Sequence, residues 1–387
     1  MMPVRPSHMP LLYSVVRSLI RPFLRAWCGL EHPPGESIPA TGPLVVVANH
    51  RSYLDAFLLA AAFPRPIHFI ASAEAFRPFW QRLFMRNLGC IRLRRWVPDP
   101  QAIRQVLAIL EDGGVVGIFP EGERSWDGSP APILPGVPRL LTLAATPIVA
   151  VKLKGSYRLW PRWGRSLRHA PVSVEWSEPR RPGSEEEVRL ALIEALATHP
   201  GPPARRRRSA EDIGRLLWRC PSCRAANSVR GERDGGVWCL RCESRGTLLD
   251  GSHLIWNGEG PEPLRAWARR IALSVGERRR LAPPGPDPVR RWPFLRLASG
   301  AGDAPLRPRG RGEAVLTPRA LILRSDRWRA YLPAETIRSV TVEGSHKIQV
   351  ATTDRIYELR YRRGSPRGPR AFLEAWLDTR GILYRRA

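Results

Sequence analysis

From residue 43 to residue 153 the chain alternates short apolar runs with segments whose apolar residues recur every three or four positions, and this alternation leaves few folds open. Residues 44–48, 67–71, 91–93, 115–119 and 147–153 read as strands. Residues 54–63, 78–88, 101–110 and 139–145 read as helices, and 185–198 closes the series with one more. Gly113-Gly114 ends the clearest amphipathic helix among them. Strand and helix in regular alternation indicate an α/β layer structure, a sheet with flanking helices.

Beyond this block the character changes. Pro-Gly-Pro-Pro followed by four arginines marks a linker. Next come Cys220-Pro221-Ser222-Cys223 and, fifteen residues later, Cys239-Leu240-Arg241-Cys242. Two such knuckles at this separation can close one tetrahedral thiolate site on zinc, and the module resembles a zinc ribbon. Four thiolates fill the coordination sphere, so the metal is expected to be structural. The alternative is a degenerate ribbon with four reduced thiols. Paired Cys-x-x-Cys units suggest a reducing cytoplasm rather than a disulfide framework, with Cys28 and Cys90 unassigned. Residues 276–312, rich in Pro, Gly and Arg, read as an irregular connection. The last segment carries short alternating strands at 314–316, 320–323, 330–332, 337–343, 347–351 and 356–361, then a helix at 369–378. It resembles a pleckstrin-homology-like or GRAM-type domain. The organisation expected is thus an amphipathic helix (1–30), an α/β domain (31–200), a linker (201–212), the ribbon (213–257), a helix with a Pro/Arg-rich connector (258–312) and a β-rich domain (313–387).

The 387 residues carry 62 basic against 35 acidic side chains, a net charge of +27, and the only lysines are Lys152, Lys154 and Lys347. Such a field attracts phospholipid headgroups, nucleic acid or phosphorylated small molecules, unless it reflects only a bias toward arginine on solvated faces. Residues 11–28 form an amphipathic pattern in which Arg17, Arg21 and Arg25 repeat every four positions. That segment suits a headgroup boundary, or else an ordinary surface helix that Pro22 kinks. No stretch reaches the ~18 uncharged apolar residues that span a bilayer, and no secretory signal is read.

Two strand ends carry the chemistry. His50 and Asp55 follow the first strand; on one regular helix they would point ~140° apart, so they meet only if His50 lies in the turn before the helix. Asp55 would then fix the imidazole tautomer while the other ring nitrogen takes a proton from a hydroxyl. Taken alone, the spacing is equally a capping pair. The run from Phe119 to Ser125 ends another strand, with Gly122 allowing close backbone approach and Arg124 offering a guanidinium that matches phosphate.

Asn49-His50 with Asp55, and residues 89–95, 119–125 and 146–155, resemble the four ordered blocks of the glycerolipid acyltransferase family. The best-known members of that family are the 1-acyl-sn-glycerol-3-phosphate acyltransferases. The resemblance implies His50 as general base and Asp55 as its orienter. It implies Arg95, Glu121, Gly122 and Arg124 in acceptor binding, and Pro147 on the acyl-donor side or in the sheet scaffold. Departures exist: Arg92-Leu93-Arg94-Arg95 leaves Arg94 as an alternative anchor, Glu123 stands where threonine is usual, residues 133–136 lack a basic residue, and Ala150 replaces a frequent proline. They leave the acceptor's identity open.

The resemblance therefore implies an acyltransferase moving a fatty acyl group from acyl-CoA or acyl-carrier protein to a lysophospholipid, foremost 1-acyl-sn-glycerol-3-phosphate, in phospholipid synthesis. No catalytic cofactor is expected, and the place of action is peripheral, on the cytoplasmic face of a membrane bearing anionic lipids. Two other readings stand beside it: a non-catalytic lipid-binding or regulatory protein on the same fold, and a nucleic-acid binder using the ribbon, the latter disfavoured.

Overall fold

The computed structural model describes residues 10–32, 35–76, 79–94, 99–197, 209–225, 228–271, 290–301, 306–317, 319–343, 347–352 and 354–361, with Phe372 and Trp376. The chain divides into two compact units, Met1–Arg162 with Ser166–Arg208 and Leu249–His253, and Trp163–Arg165 with Ser209–Leu248 and Leu254–Ala387.

The first unit runs α1 (Leu11–Cys28), β1 (Leu44–Ala48), α2 (Asp55–Ala62), β2 (His68–Ser72), α3 (Phe79–Asn87), β3 (Ile91–Leu93), α4 (Pro100–Glu111), β4 (Val115–Ile118), α5 (Gly136–Ala144), β5 (Ile148–Lys154), α6 (Ser156–Leu159), β6 (Ser173–Trp176) and α7 (Glu185–Leu196). The six strands form one sheet in the order β3-β2-β4-β1-β5-β6, parallel throughout except for the β5–β6 pair. This is the α/β fold expected. The short β6 and the single turn of α6 escape the sequence reading. Four residues at a sheet edge, with alternating burial, give no apolar run.

Every residue of β1 is buried because helices cover both faces of a parallel sheet. Leu44, Val46 and Ala48 pack with Leu24 and Cys28 of α1 and Leu58 and Leu59 of α2. Val45 and Val47 pack on the other face with Val106 and Ile109 of α4 and Val188, Leu192 and Leu196 of α7. Each valine, leucine or isoleucine among them contributes about 1.5–3 kcal/mol when fully buried. Local signals agree with the packing: Asp99 caps α4 by accepting from the Ala102 amide, and Ser184 with Glu187 forms a reciprocal cap on α7.

Helix α1 runs unbroken through Pro22. It buries Tyr13, Leu24 and Cys28, and the Ile67 amide donates to the Tyr13 hydroxyl at 3.1 Å. Its arginines are not simply solvated. Arg17 donates to the Phe63 carbonyl at the end of α2 (2.6 Å), and Arg21 and Arg25 both reach Nε2 of His32 (3.3 and 3.0 Å). Leu11, Val15, Leu19 and Phe23, spaced by four, are the exposed face.

The second unit, with Leu249 and His253 at the adjoining strand ends counted to the first, holds β7 (Val229–Gly231), β8 (Gly236–Cys239), β9 (Arg245–Leu249), β10 (His253–Trp256) and β11 (Glu262–Pro263), ordered β11-β10-β9-β8-β7, then α8 (Leu264–Ile271). A second sheet follows: β12 (Arg290–Ala301), β13 (Arg307–Leu316), β14 (Ala320–Ser325), β15 (Trp328–Pro333), β16 (Ile337–Glu343), β17 (Lys347–Thr352) and β18 (Arg355–Arg360), ordered β15-β14-β13-β12-β18-β17-β16 and antiparallel. The irregular connector expected up to residue 312 is corrected here: β12 is the central strand, and β13 begins at Arg307. A bulge between Trp292 and Leu295 breaks the period-two pattern, and outward arginines hide the inward Leu295 and Leu297. Phe372 and Trp376 are helical and buried, with the Phe372 ring 4.7 Å from Trp292. The rest of the helix expected at 369–378, and the linker arginines 205–208, lie outside the described residues.

Candidate active site and cysteine cluster

Strands β1 and β4 are parallel neighbours with Val47 opposite Ile118, so His50 and Glu121 each come three residues beyond a matched pair. Register alone thus brings the two segments side by side at the carboxyl ends of the strands, where open α/β sheets place ligands. Asn49 ties the same end to β5: its amide donates to the Leu153 carbonyl (3.1 Å) and its Oδ1 accepts from the Leu153 amide (2.7 Å).

His50 lies in the turn before α2, and Asp55 is the first residue of that helix. Asp55 is fully buried, and its Oδ2 accepts from His50 Nδ1 (2.8 Å), the Ser52 amide (2.7 Å) and the Arg51 amide. A carboxylate only accepts, so the proton sits on Nδ1 and Nε2 is left as the basic nitrogen. The His50 side chain is 18% exposed. Burial pushes its pKa below the ordinary value of 6.5, with Arg124 and Arg51 acting in the same direction and Asp55 opposing. The neutral imidazole therefore prevails at neutral pH. Phe119 stacks on the ring, with centroids 4.2 Å apart.

A buried ion pair lies beneath the histidine. Arg51 Nη1 donates to both oxygens of Glu121, at 2.6 Å to Oε1, and the two side chains are 3% and 2% exposed. The same carboxylate accepts from the His50 amide (3.3 Å) and the Ala131 amide (2.9 Å), and the Ser125 amide donates to the His50 carbonyl (3.1 Å). Glu121 is thus occupied in holding the backbone of His50. Gly122 has φ +67, and a Cβ there would meet the Leu134 side chain. The Arg124 guanidinium lies 3.7 Å over the Tyr53 ring, and Tyr53 packs on Trp160 (4.8 Å). Arg162 braces this loop by donating to Glu123 Oε2 (2.8 Å) and to the Arg124 carbonyl (2.9 Å).

A family model described as Acyltransferase matches residues 33–154, the stretch that carries all of these groups up to Leu153. This domain belongs to the glycerolipid acyltransferase family. The acyltransferase domain is similar to "1-acyl-sn-glycerol-3-phosphate acyltransferase" of Bacillus subtilis, 25% identical over 37% of this chain and 72% of that protein. It is similar also to "1-acyl-sn-glycerol-3-phosphate acyltransferase LPAT1, chloroplastic" of Arabidopsis thaliana, 29% identical over 41% of this chain. The chain spans only 44% of that plant relative's length. A solved structure, the 1-acyl-sn-glycerophosphate (LPA) acyltransferase PlsC from Thermotoga maritima, matches 48% of this chain and 76% of that chain at 26% identity, with a TM-score of 0.43.

Of the residues singled out by sequence, the acyltransferase domain brings His50, Asp55, Glu121, Gly122 and Arg124 together; Arg95 lies outside the described residues. Arg94, its alternative, donates its amide to Asp99 (2.8 Å) and approaches the same carboxylate with Nε (3.4 Å). Sequence reasoning quoted Asn49 without giving it a role, and it assigned nothing to Arg51, Tyr53 or Arg162. The first three sit inside the histidine block and were open to notice. Arg162 lies beyond the matched region, and nothing in its own neighbourhood marks it.

In the second unit the four sulfurs of Cys220, Cys223, Cys239 and Cys242 lie within 4.8 Å of one another. Cys220 to Cys242 is 3.6 Å and Cys223 to Cys239 is 3.7 Å. Zinc–sulfur bonds of about 2.3 Å in tetrahedral arrangement separate sulfurs by about 3.8 Å. Both knuckles have the same backbone: Arg224 donates to the Cys220 carbonyl and Glu243 to the Cys239 carbonyl, each at 3.0 Å, with φ +60 and +58. The donor set fits zinc, and four thiolates on one ion would leave no ligand position for chemistry.

Proposed function

We propose that the acyltransferase domain moves a fatty acyl group from a thioester, acyl-CoA or acyl-carrier protein, to the hydroxyl of a lysophospholipid, with 1-acyl-sn-glycerol-3-phosphate the acceptor. The observation that carries this reading is the Asp55–His50 pair with its basic Nε2, set beside Arg124 across two parallel strand ends. The acceptor oxygen attacks the thioester carbonyl while Nε2 takes its proton. The tetrahedral intermediate then collapses, the carbon–sulfur bond breaks, and the thiolate leaves with the proton carried by the imidazolium. Arg124 holds the acceptor's phosphate.

The test is labelled acyl-CoA with a panel of lysolipids, the product being identified by mass. Phosphatidate formed from 1-acyl-sn-glycerol-3-phosphate supports the reading; absence of thioester turnover with every acceptor and with both carriers refutes it. Arg124→Ala is expected to raise KM for the phosphorylated acceptor roughly 10- to 100-fold, with KM for the thioester little changed.

The site of action is proposed to be peripheral, at the cytoplasmic face of a membrane. The exposed stripe Leu11, Val15, Leu19 and Phe23 supports this, and no helix among the described residues is long and apolar enough to cross a bilayer. Cys220, Cys223, Cys239 and Cys242 are proposed to hold one structural zinc. Elemental analysis is expected to find one zinc per chain, and chelation is expected to make the ribbon protease-sensitive.

A further inference from the structure

The second sheet carries a row of cations that acyl transfer does not use. Register sets Arg311 of β13 opposite Arg296 of β12, Arg296 opposite Arg360 of β18, and Arg360 opposite Lys347 of β17. Residues opposite one another in a ladder project from the same face, so four cations stand in line across four adjacent strands. This is the outer face: the next positions, Leu297, Leu359 and Ile348, are buried, whereas Arg296, Arg311 and Arg360 are exposed and Lys347 is partly so.

A second row on the same face sets Glu313 opposite Arg324 and Arg324 opposite Arg329. Glu313 is engaged by Arg324, and Glu358, 3% exposed, is shared by Lys347 (3.7 Å) and Arg360. With Glu358, the two rows hold six cations and two carboxylates. Like charges directly opposite destabilise a sheet, and surfaces under no other demand interleave the signs. Tyr331, opposite Ile322 on this face, is 62% exposed.

We propose that this face of the C-terminal sheet is an electrostatic docking surface for an anionic lipid bilayer. A row that keeps its excess charge across neighbouring strands complements a continuous negative plane, where each cation near the surface adds to binding. An exposed tyrosine beside it suits the headgroup layer, since its ring is apolar and its hydroxyl polar. A nucleic acid is the weaker fit: single strands are gripped by several stacking aromatics, and among the described residues this face shows one, Tyr331. The inference is independent of the acyl-transfer reading.

The experiment is flotation of the full-length chain with vesicles of phosphatidylcholine alone or with phosphatidylglycerol, read as the ratio of anionic to neutral partition. That ratio cancels any apolar contribution of α1. Arg296→Gln/Arg311→Gln/Arg360→Gln is expected to lower the ratio roughly 10- to 100-fold. The triple lysine replacement at the same positions is expected to keep it. Arg104→Gln/Arg139→Gln/Arg181→Gln removes equal charge from exposed sites elsewhere and is expected to change it less than about twofold. An unchanged ratio in the row variant overturns the proposal. So does an equal fall in the control, which would make bulk charge the cause. So does loss of duplex DNA binding by the row variant with its vesicle ratio intact.

Discussion

Alanine at His50 is expected to lower acyl transfer about 10²- to 10⁴-fold while leaving the thermal transition close to that of the parent, because the imidazole lies at the rim of the site and not in the core. The parent's pH profile supplies the companion test. The neutral ring is the active form, and burial holds its pKa under 6.5. Acyl transfer should therefore be flat from neutral pH upward and fall as pH drops through a midpoint under 6.5. Asp55→Asn removes the charge that favours the imidazolium and so moves that midpoint lower still, with a reduced plateau. A His50→Ala protein of undiminished activity would remove the base assignment altogether.

Methionine at Arg51 is expected to destabilise the acyltransferase domain by about 3–5 kcal/mol, the usual consequence of leaving one member of a buried ion pair alone. Glu121 would then be an uncompensated carboxylate in an environment that already pushes its pKa up. Adding Glu121→Gln to Arg51→Met should recover part of the loss, because the amide oxygen still accepts from one of the backbone donors of His50 and Ala131. Denaturant unfolding of both variants checks this. Equal stability of the single and double variants would show that the carboxylate finds another partner. Arg51→Met should also reduce turnover at temperatures where the domain remains folded, since the pair fixes the backbone of the histidine.

The parallel core announced itself because strands buried on both faces are continuous apolar runs, as in Leu44-Val45-Val46-Val47-Ala48. The meeting of His50 with Asp55 was legible as a geometric condition, a histidine in the turn and an aspartate at the helix start. The division of labour within the third block was not. Glu121 and Arg124 stand three apart in a segment that sequence treats as one acceptor-binding unit, yet Glu121 faces inward to Arg51 while Arg124 lies over Tyr53. Side-chain direction in an irregular turn has no periodicity to read. The same limit hid β12, whose bulge shifts the inward set from one parity to the other. Arg162 became visible only once folding carried it 38 residues back to the Arg124 carbonyl.

Helix α1 has two roles that pull against any attempt to separate them. Its outward stripe invites deletion by anyone seeking a better-behaved preparation. Its other side supplies Tyr13, Leu24 and Cys28 to the domain interior, and Arg17 terminates α2 through the Phe63 carbonyl. Trimming the first 28 residues would open that interior to water. Solubility is better sought by polar replacements at Leu11, Val15, Leu19 and Phe23, which leave the helix docked.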